Sequence, residues 1–389
     1  MHAAKRSSRA ATRLATFATL TFACACGPDF RQPHASAALD EFHVEPAERP
    51  PDLRVLTLNT WSVKFREDHE RIVTRLASIV ASADVDVIAL QEVWRERDAR
   101  VFAQALREGG FEFQRHEASD APFSHGSSGL LLASRLPLVD TGFEPFEAGT
   151  LPWWPWPVDW FAAKGVLAGT VQTARGPVRV LNTHLHAAYG RGGHAAARVG
   201  QALELRATAM ASSLPTLVVG DLNTRPGEPP FAVLMADSAL RVVARSRVDA
   251  ILARDGEGRG LRATAATVAV TDPIPLRPGR TIAPSDHLGV QASLSLRDRP
   301  AVGGTASHGE GAREVLQREQ HRAGRHRFWG QLLTWLLASF AVLWLWRRRT
   351  FLVPLWLAWG AVWSAYHGFL VGPEQEAQLQ EQLRILDAE

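Results

Sequence analysis

Between residues 52 and 298, short apolar runs alternate with stretches of helical spacing. Near-continuous runs such as VDVIAL (85–90) and TLVVG (216–220) predict strands covered on both faces. The pattern places strands at 54–58, 85–90, 129–133, 166–170, 178–182, 217–219, 248–252 and 289–296. Apolar positions three and four apart predict helices at 66–82, 96–107 and 195–212. Strands and helices in alternation predict an α/β domain over 52–298. No fixed-period repeat is visible.

The ends follow other patterns. Residues 328–346 carry no charge, and 351–371 hold only His367 and Tyr366 as ionisable groups. A membrane span needs about 20 apolar residues, and aromatic residues near both ends suit the bilayer interfaces. The expectation is two transmembrane helices in a tight hairpin, joined by Arg347, Arg348, Arg349 and Thr350. At the other end, Lys5, Arg6, Arg9 and Arg13 precede the apolar residues 14–25, the order of a secretory signal. Cys26 follows small residues, and this resembles a bacterial lipoprotein cleavage site with Cys26 lipidated. Residues 1–26 are read as that segment, 27–51 and 299–327 as linkers, and 372–389 as an acidic tail. The signal and the arginines of the hairpin loop place the main domain on the exported face of a membrane, periplasmic or extracellular. Arg322, Arg325 and Arg327 flank the other end and partly offset that bias.

Composition narrows the chemistry. The chain has 389 residues, 46% hydrophobic and 21% charged, which excludes global disorder. A net charge of +3 is too small to argue for nucleic acid. Both cysteines, Cys24 and Cys26, lie in the first segment. The main domain therefore has no thiol nucleophile and no cysteine-based zinc site.

Polar residues cluster at the strand ends. LRVLTLN ends in Asn59, DVIALQE in Gln91 and Glu92, RVLNTH in Asn182 and His184, and TLVVGDLN in Asp221 and Asn223. Asp249 opens another strand, and Asp286 and His287 precede the last. Singly, each is an ordinary turn residue or cap. Together they are polar groups beside apolar strands, which are costly unless paired or metal-bound. Strand ends gathered at one sheet edge are where α/β proteins build sites. Oxygen donors with few nitrogens and no sulfur suit a hard divalent ion, Mg²⁺ or Mn²⁺.

The pieces LTLNTW, LQEVW, SSGLLLASRLPL, NTHLHA, GDLNTRP, RVDAIL and SDHLGV span the domain in one order. This ordered set resembles the endonuclease/exonuclease/phosphatase family. The resemblance implies a four-layer α/β sandwich, like pancreatic deoxyribonuclease, that cleaves phosphate esters with a divalent metal. Trp61 after LNT, LQEVW, THLHAAY and GDLNTRP look like its neutral sphingomyelinase branch, as does Asp159 five residues before Lys164. The hairpin after the domain is similar to that of a membrane-bound mammalian type, although that type has no secretory signal.

The resemblance implies hydrolysis of sphingomyelin to ceramide and phosphocholine. Metal donors would be drawn from Asn59, Glu92, Asp221, Asn223, Asp286 and His287. Asp221 and Asn223 would position water and phosphate. His287, held by Asp249, would be the general base, with Asp221 the alternative base. Asp286 would bind metal or orient His287. His184 would donate to a phosphoryl oxygen, and so would Lys164, with Asp159 holding it idle away from membrane. The rivals are a phospholipase C on lysophosphocholine lipids, a membrane-tethered nuclease, a phosphoinositide phosphatase and an inactive lipid-binding anchor. The domain has no basic stretch for DNA. Trp153, Trp154, Trp156 and Trp160, set among prolines, read as a loop facing either lipid or the domain's own core. The partner expected is a phospholipid or sphingolipid in a membrane to which the chain is anchored, with no nucleic acid and no protein partner inferred.

Overall fold

Strand β2 (Leu53–Asn59) divides its side chains between two apolar clusters. Leu53 and Val55 enter one, and Leu56 and Leu58 the other. Alternate residues of a strand point to opposite faces, so this strand is buried on both sides. Strand β3 (Val87–Gln91) repeats the division, with Val87 and Ala89 on one face and Ile88 and Leu90 on the other. The continuous apolar runs of the sequence have this origin.

The computed structural model describes residues 38–388 except 48, 63–67, 118–126, 150–162, 189–194, 237, 299–309 and 349–351. The signal at 1–26, Asp159 and the four clustered tryptophans lie outside the described residues.

Two sheets form the centre. One has the order β1 (Glu41–Phe42), β10 (Arg241–Ser246), β11 (Asp249–Arg254), β9 (Thr216–Asp221), β8 (Gly176–His184), β7 (Gly165–Thr173) and β6 (Leu138–Pro145). The other has the order β12 (Gly260–Ala269), β15 (Gly289–Arg297), β2, β3, β5 (Leu130–Ser134) and β4 (Phe113–Glu117). Their facing sides share one cluster, in which Val55, Ala89 and Leu132 of the second sheet meet Leu167, Val180 and Val219 of the first. Helices α1 (His69–Ala81) and α2 (Glu96–Glu108) cover the outer face of the second sheet through Ile72, Leu76, Phe102 and Leu106. Helices α3 (Ala195–Met210) and α4 (Pro229–Met235) cover that of the first through Val199, Leu205, Val233 and Leu234. The layers run helix, sheet, sheet, helix. A small hairpin, β13 (Ile274–Arg277) and β14 (Arg280–Ile282), packs Ile274 and Leu276 on the α1 side.

All eight expected strands and all three expected helices are present, with ends moved by a few residues. Residues 38–51 differ from the linker expected there. Glu41 and Phe42 add an edge strand paired with Arg245 and Ala244 of β10.

The C-terminal segment differs most from expectation. Among the described residues no helix is long and apolar enough to cross a membrane. The first apolar stretch is the later half of α5 (Glu310–Arg348), a continuous helix whose earlier half is charged. The second is interrupted. Helix α6 (Leu352–Ala365) has 14 residues and passes into a π-helical turn, Tyr366–Val371. The transmembrane hairpin expected at 328–346 and 351–371 is not shown by the described residues. The linker expected at 299–327 is helical from Glu310, with Val315, Leu316 and Ala323 buried. The acidic tail forms α7 (Gly372–Ala388), whose Leu379 joins the α3–α4 cluster. Arg327 of α5 pairs with Glu376 of α7 at 2.7 Å.

Strand register gathers the polar ends. Asn59 of β2 lies beside Gln91 in a parallel pair. His184 of β8 lies beside Asp221 of β9, also in parallel. Asp249 opens β11 directly opposite Asp221.

Candidate active site

Asn59 and Asp221 are the last residues of strands in different sheets, and they meet. The Asn59 side-chain amide donates to Asp221 Oδ2 at 2.9 Å and to Glu92 Oε1 at 3.0 Å. Its Oδ1 accepts from the Trp61 backbone at 3.0 Å. A fully buried amide has one geometry that satisfies all three partners. Deeper between the sheets, Gln91 donates to Asn182 Oδ1 at 2.8 Å, and Asn182 donates to the carbonyls of Leu90 and Leu131. Gln91 and Asn182 therefore join the sheets beneath the site.

The backbone is unusual at three strand ends. Trp61, Glu92 and Asn223 have φ of 48°, 61° and 46°. Asparagine tolerates this region, whereas tryptophan and glutamate visit it rarely. Each such residue costs on the order of 1–3 kcal/mol and persists where its surroundings hold it. Asn223 is held by its own N–H to Asp221 Oδ1 at 2.9 Å and by Nδ2 to the Leu185 carbonyl at 2.9 Å. Gly220 lets β8 and β9 close together. A Cβ there would sit 1.9 Å from the Thr183 carbonyl oxygen, so only glycine brings Asp221 beside His184.

The histidines converge on Asp221. His184 Nε2 lies 3.4 Å from Asp221 Oδ2, and His287 Nε2 lies 3.8 Å from the same oxygen. His287 Nδ1 shares a 2.7 Å hydrogen bond with Asp249 Oδ2. Asp286 Oδ1 is 3.9 Å from His287 Nε2. Ser285 turns this segment inward, since its hydroxyl donates to the Asn59 carbonyl at 2.7 Å and accepts from the His287 backbone at 3.1 Å.

The charges follow from burial and neighbours. Burial, then repulsion from Asp286, pushes the Glu92 carboxyl up to about 7. Burial pushes Asp249 up to about 6. For Asp221 burial acts upward too, but His287 and His184 outweigh it and hold the carboxyl below its usual range. Burial opposes a charged His287, yet Asp249 and Asp221 hold its proton well above the ordinary imidazole range. Opposite charges at close range outweigh desolvation here.

Lys164 is buried and donates to the Leu185 carbonyl at 3.4 Å. Its ammonium lies 5.6 Å from the centre of the Trp94 ring, and that ring lies 6.2 Å from His184. Lys164 also lowers the proton affinity of Glu92, which places its charge within reach of the carboxylates.

The donors fit a divalent cation. Among the described residues, ligand atoms of Asp221, Asp249 and His287 lie within 4.8 Å of one another. Asp249 Oδ1 is buried and accepts no hydrogen bond, an orphan acceptor. Glu92, Asn59 and Asp286 add oxygen donors, and the repulsion between Glu92 and Asp286 is of the kind a cation relieves. Asn223 is the expected donor least available, its amide being turned to Leu185.

Every expected site residue that is described lies in this cluster. The sequence reading assigned no role to Trp94, which sits in LQEVW, or to Ser285, which precedes Asp286. Trp94 stands two residues after Glu92, and Ser285 directly before Asp286. His186 is buried and donates its backbone N–H to Gln201.

Comparison with known proteins covers the same stretch of chain. The model of the Endonuclease/Exonuclease/phosphatase family matches residues 56–287, more than half of the chain. An inositol phosphosphingolipids phospholipase C of Schizosaccharomyces pombe is 28% identical over 196 residues, 48% of this chain and 45% of that protein. Sphingomyelin phosphodiesterase 2 of Rattus norvegicus is 29% identical over 198 residues, 49% of this chain and 45% of that one. The match thus spans less than half the length of either relative. Sphingomyelinase C from Streptomyces griseocarneus superposes with a TM-score of 0.48 at 20% identity, over 62% of this chain and 99% of that one. With a family model spanning all of the strand-end residues from Asn59 to His287, the chain belongs to the Endonuclease/Exonuclease/phosphatase family.

Proposed function

We propose that the protein is a divalent-metal-dependent phosphodiesterase that hydrolyses sphingomyelin to ceramide and phosphocholine. The observation that carries this reading is the convergence of Asn59, Glu92, His184 and the Asp249–His287 pair on one buried carboxylate, Asp221. A phosphate ester placed there meets donors for its charge and a proton acceptor for attacking water.

Glu92 and Asn59, with Asp286, would hold Mg²⁺ or Mn²⁺. When bound, the ion supplies positive charge for a phosphoryl oxygen and offsets the carboxylate field that holds the His287 proton. His287, aligned by Asp249, takes the proton of the attacking water. His184 and Lys164 donate to phosphoryl oxygens as charge builds. Asp221 and Asn223 orient the water. Water oxygen bonds to phosphorus as its proton passes to His287, the bond from phosphorus to the ceramide oxygen breaks, and the alkoxide takes a proton from solvent, to which His287 returns its own.

The names of the relatives support a sphingolipid substrate. One relative is named for inositol phosphosphingolipids, so an inositol phosphate headgroup is the second reading. The bond broken would be the same. A lipid surface is supported by the exposed side chains of α5 and α6, among them Trp329, Trp335, Phe340, Trp359 and Trp363. An apolar surface of this extent marks a binding face.

The test offers the purified protein mixed micelles of sphingomyelin, inositol phosphosphingolipid, lysophosphatidylcholine and phosphatidylcholine, with Mg²⁺ and then with EDTA. Mass spectrometry should show metal-dependent ceramide and phosphocholine. Ceramide with inositol phosphate would favour the second reading. Monoacylglycerol or diacylglycerol alone would move the substrate to glycerolipids. Cleavage of DNA and of no lipid would overturn the proposal.

A further inference from the structure

The peptide unit joining Leu185 to His186 is held at both ends. Its carbonyl, on Leu185, accepts from Asn223 Nδ2 at 2.9 Å and from Lys164 Nζ at 3.4 Å. Its N–H, on His186, donates to Gln201 Oε1 at 2.8 Å. Gln201 Nε2 in turn donates to the Ala148 carbonyl at 2.9 Å. Leu185, His186, Gln201 and Ala148 are all buried.

A trans peptide is planar, and its C=O and N–H point in opposite directions. Fixing the N–H therefore aims the carbonyl. Gln201 sits on α3 outside the sheet, and its side chain fixes this N–H. One turn along α3, Glu204 accepts from the backbones of Glu147 and Ala148 at 2.8 and 2.7 Å. The same short segment pairs with Lys164, since the Phe146 N–H donates to the Lys164 carbonyl at 2.9 Å. Helix α3 thus grips both the strand end carrying His184 and the segment beside Lys164.

We infer that Gln201 is a positioning residue of the active site: its side-chain amide bridges the His186 N–H to the Ala148 carbonyl and so aims the Leu185 carbonyl that orients Asn223 and Lys164. It touches no substrate. Its effect on turnover rests on the phosphodiesterase reading above. Its effect on the peptide plane does not.

The experiment compares full-length wild type with Gln201→Leu, which keeps the volume and removes both bonds, and Gln201→Glu, which keeps an acceptor for His186. Sphingomyelin turnover is measured with Mg²⁺, and hydrogen exchange of the His186 amide is followed in the same samples. Gln201→Leu should lower kcat by about 10- to 100-fold with KM nearly unchanged, the scale of a small misplacement at a reacting centre. Exchange at His186 should quicken, and Gln201→Glu should recover part of both. Wild-type kcat and wild-type exchange in a folded Gln201→Leu protein would overturn the inference. So would a loss of activity that only tracks the unfolded fraction. If Gln201→Leu fails to fold, Gln201→Asn, too short to reach both partners, carries the same expectation and the same contrary result. If wild type turns over no lipid, the functional reading fails, and the exchange at His186 alone decides the role of Gln201.

Discussion

Asn59 donates to Asp221 Oδ2 at 2.9 Å although the two residues end strands in opposite sheets. The same amide nitrogen holds Glu92 Oε1 at 3.0 Å, so one side chain spaces two carboxylates. Replacement by leucine of similar volume would leave both without their shared donor. Hydrogen bonds to charged groups contribute about 1.5–3 kcal/mol each. Asn59→Leu should therefore lose turnover by roughly a hundredfold or more at saturating metal, the scale seen when one preorganised donor is removed. Steady-state kinetics on folded protein checks it, and near-normal kcat would remove Asn59 from the site.

Metal binding should release protons. In the metal-free site burial and Asp286 push Glu92 up to about 7, so its carboxyl is largely protonated at pH 6 and largely ionised at pH 8. A cation needs the ionised form. Mg²⁺ affinity should rise across this interval and flatten above it. Calorimetry near neutral pH in two buffers of different ionisation enthalpy should detect the released proton. An affinity independent of pH would contradict Glu92 as a ligand.

Asp249 holds the His287 proton through the 2.7 Å bond and its charge. The folded-state value of His287 is raised, so the stabilisation it contributes is fully present below the unfolded value of about 6.5. That stabilisation is lost as pH rises through the raised value. In the metal-free protein, NMR titration of the imidazole should find His287 still cationic above neutral pH. In Asp249→Asn it should titrate at a clearly lower pH. Equal titration in both proteins would break the pairing.

Trp94 is seated by Gly129. A Cβ at Gly129, where φ is +67°, would lie 2.7 Å from the indole ring. Gly129→Ala should push the indole away from Lys164 and His184. A strained backbone and a clash together should destabilise by about 1–3 kcal/mol. Denaturant unfolding measures the cost, and an unchanged midpoint would show that the ring yields freely.

Helices α5 and α7 pack on the domain through Leu316 and Leu379. Leu316 is fully buried in the cluster shared with α3 and α4. Leu316→Ala in the full chain should cost about 2–5 kcal/mol. A free linker at 299–327 would show almost none.

The candidate site was legible because most of its members stand at one end of an apolar run. Asn59, Glu92, His184 and Asp221 each end a strand buried on both faces, and that contrast is local in sequence. Edge strands lack it. Phe113–Glu117 (FQRHE) is polar after Phe113, and Leu138–Pro145 is mostly solvated, so neither showed an apolar run. Gly260–Ala269 is rich in alanine and threonine and carries a bulge, which blurs its period. Gln201 was illegible for a different reason. A glutamine inside a helix has no pattern of its own, and its role depends on where His186 and Ala148 arrive from distant segments. The apolar C-terminal runs fit a bilayer by composition alone. The segments that flank them pack on the domain through Leu316 and Leu379, contacts that composition does not show.

The most direct test of the central claim is hydrolysis of sphingomyelin with Mg²⁺ in water enriched in oxygen-18. Attack of water on phosphorus at this site predicts one labelled oxygen in phosphocholine and none in ceramide. It also predicts that turnover collapses in Glu92→Gln and in His287→Ala while both stay folded. Label in the ceramide, or label in phosphocholine at an undiminished rate in either variant, would contradict the account.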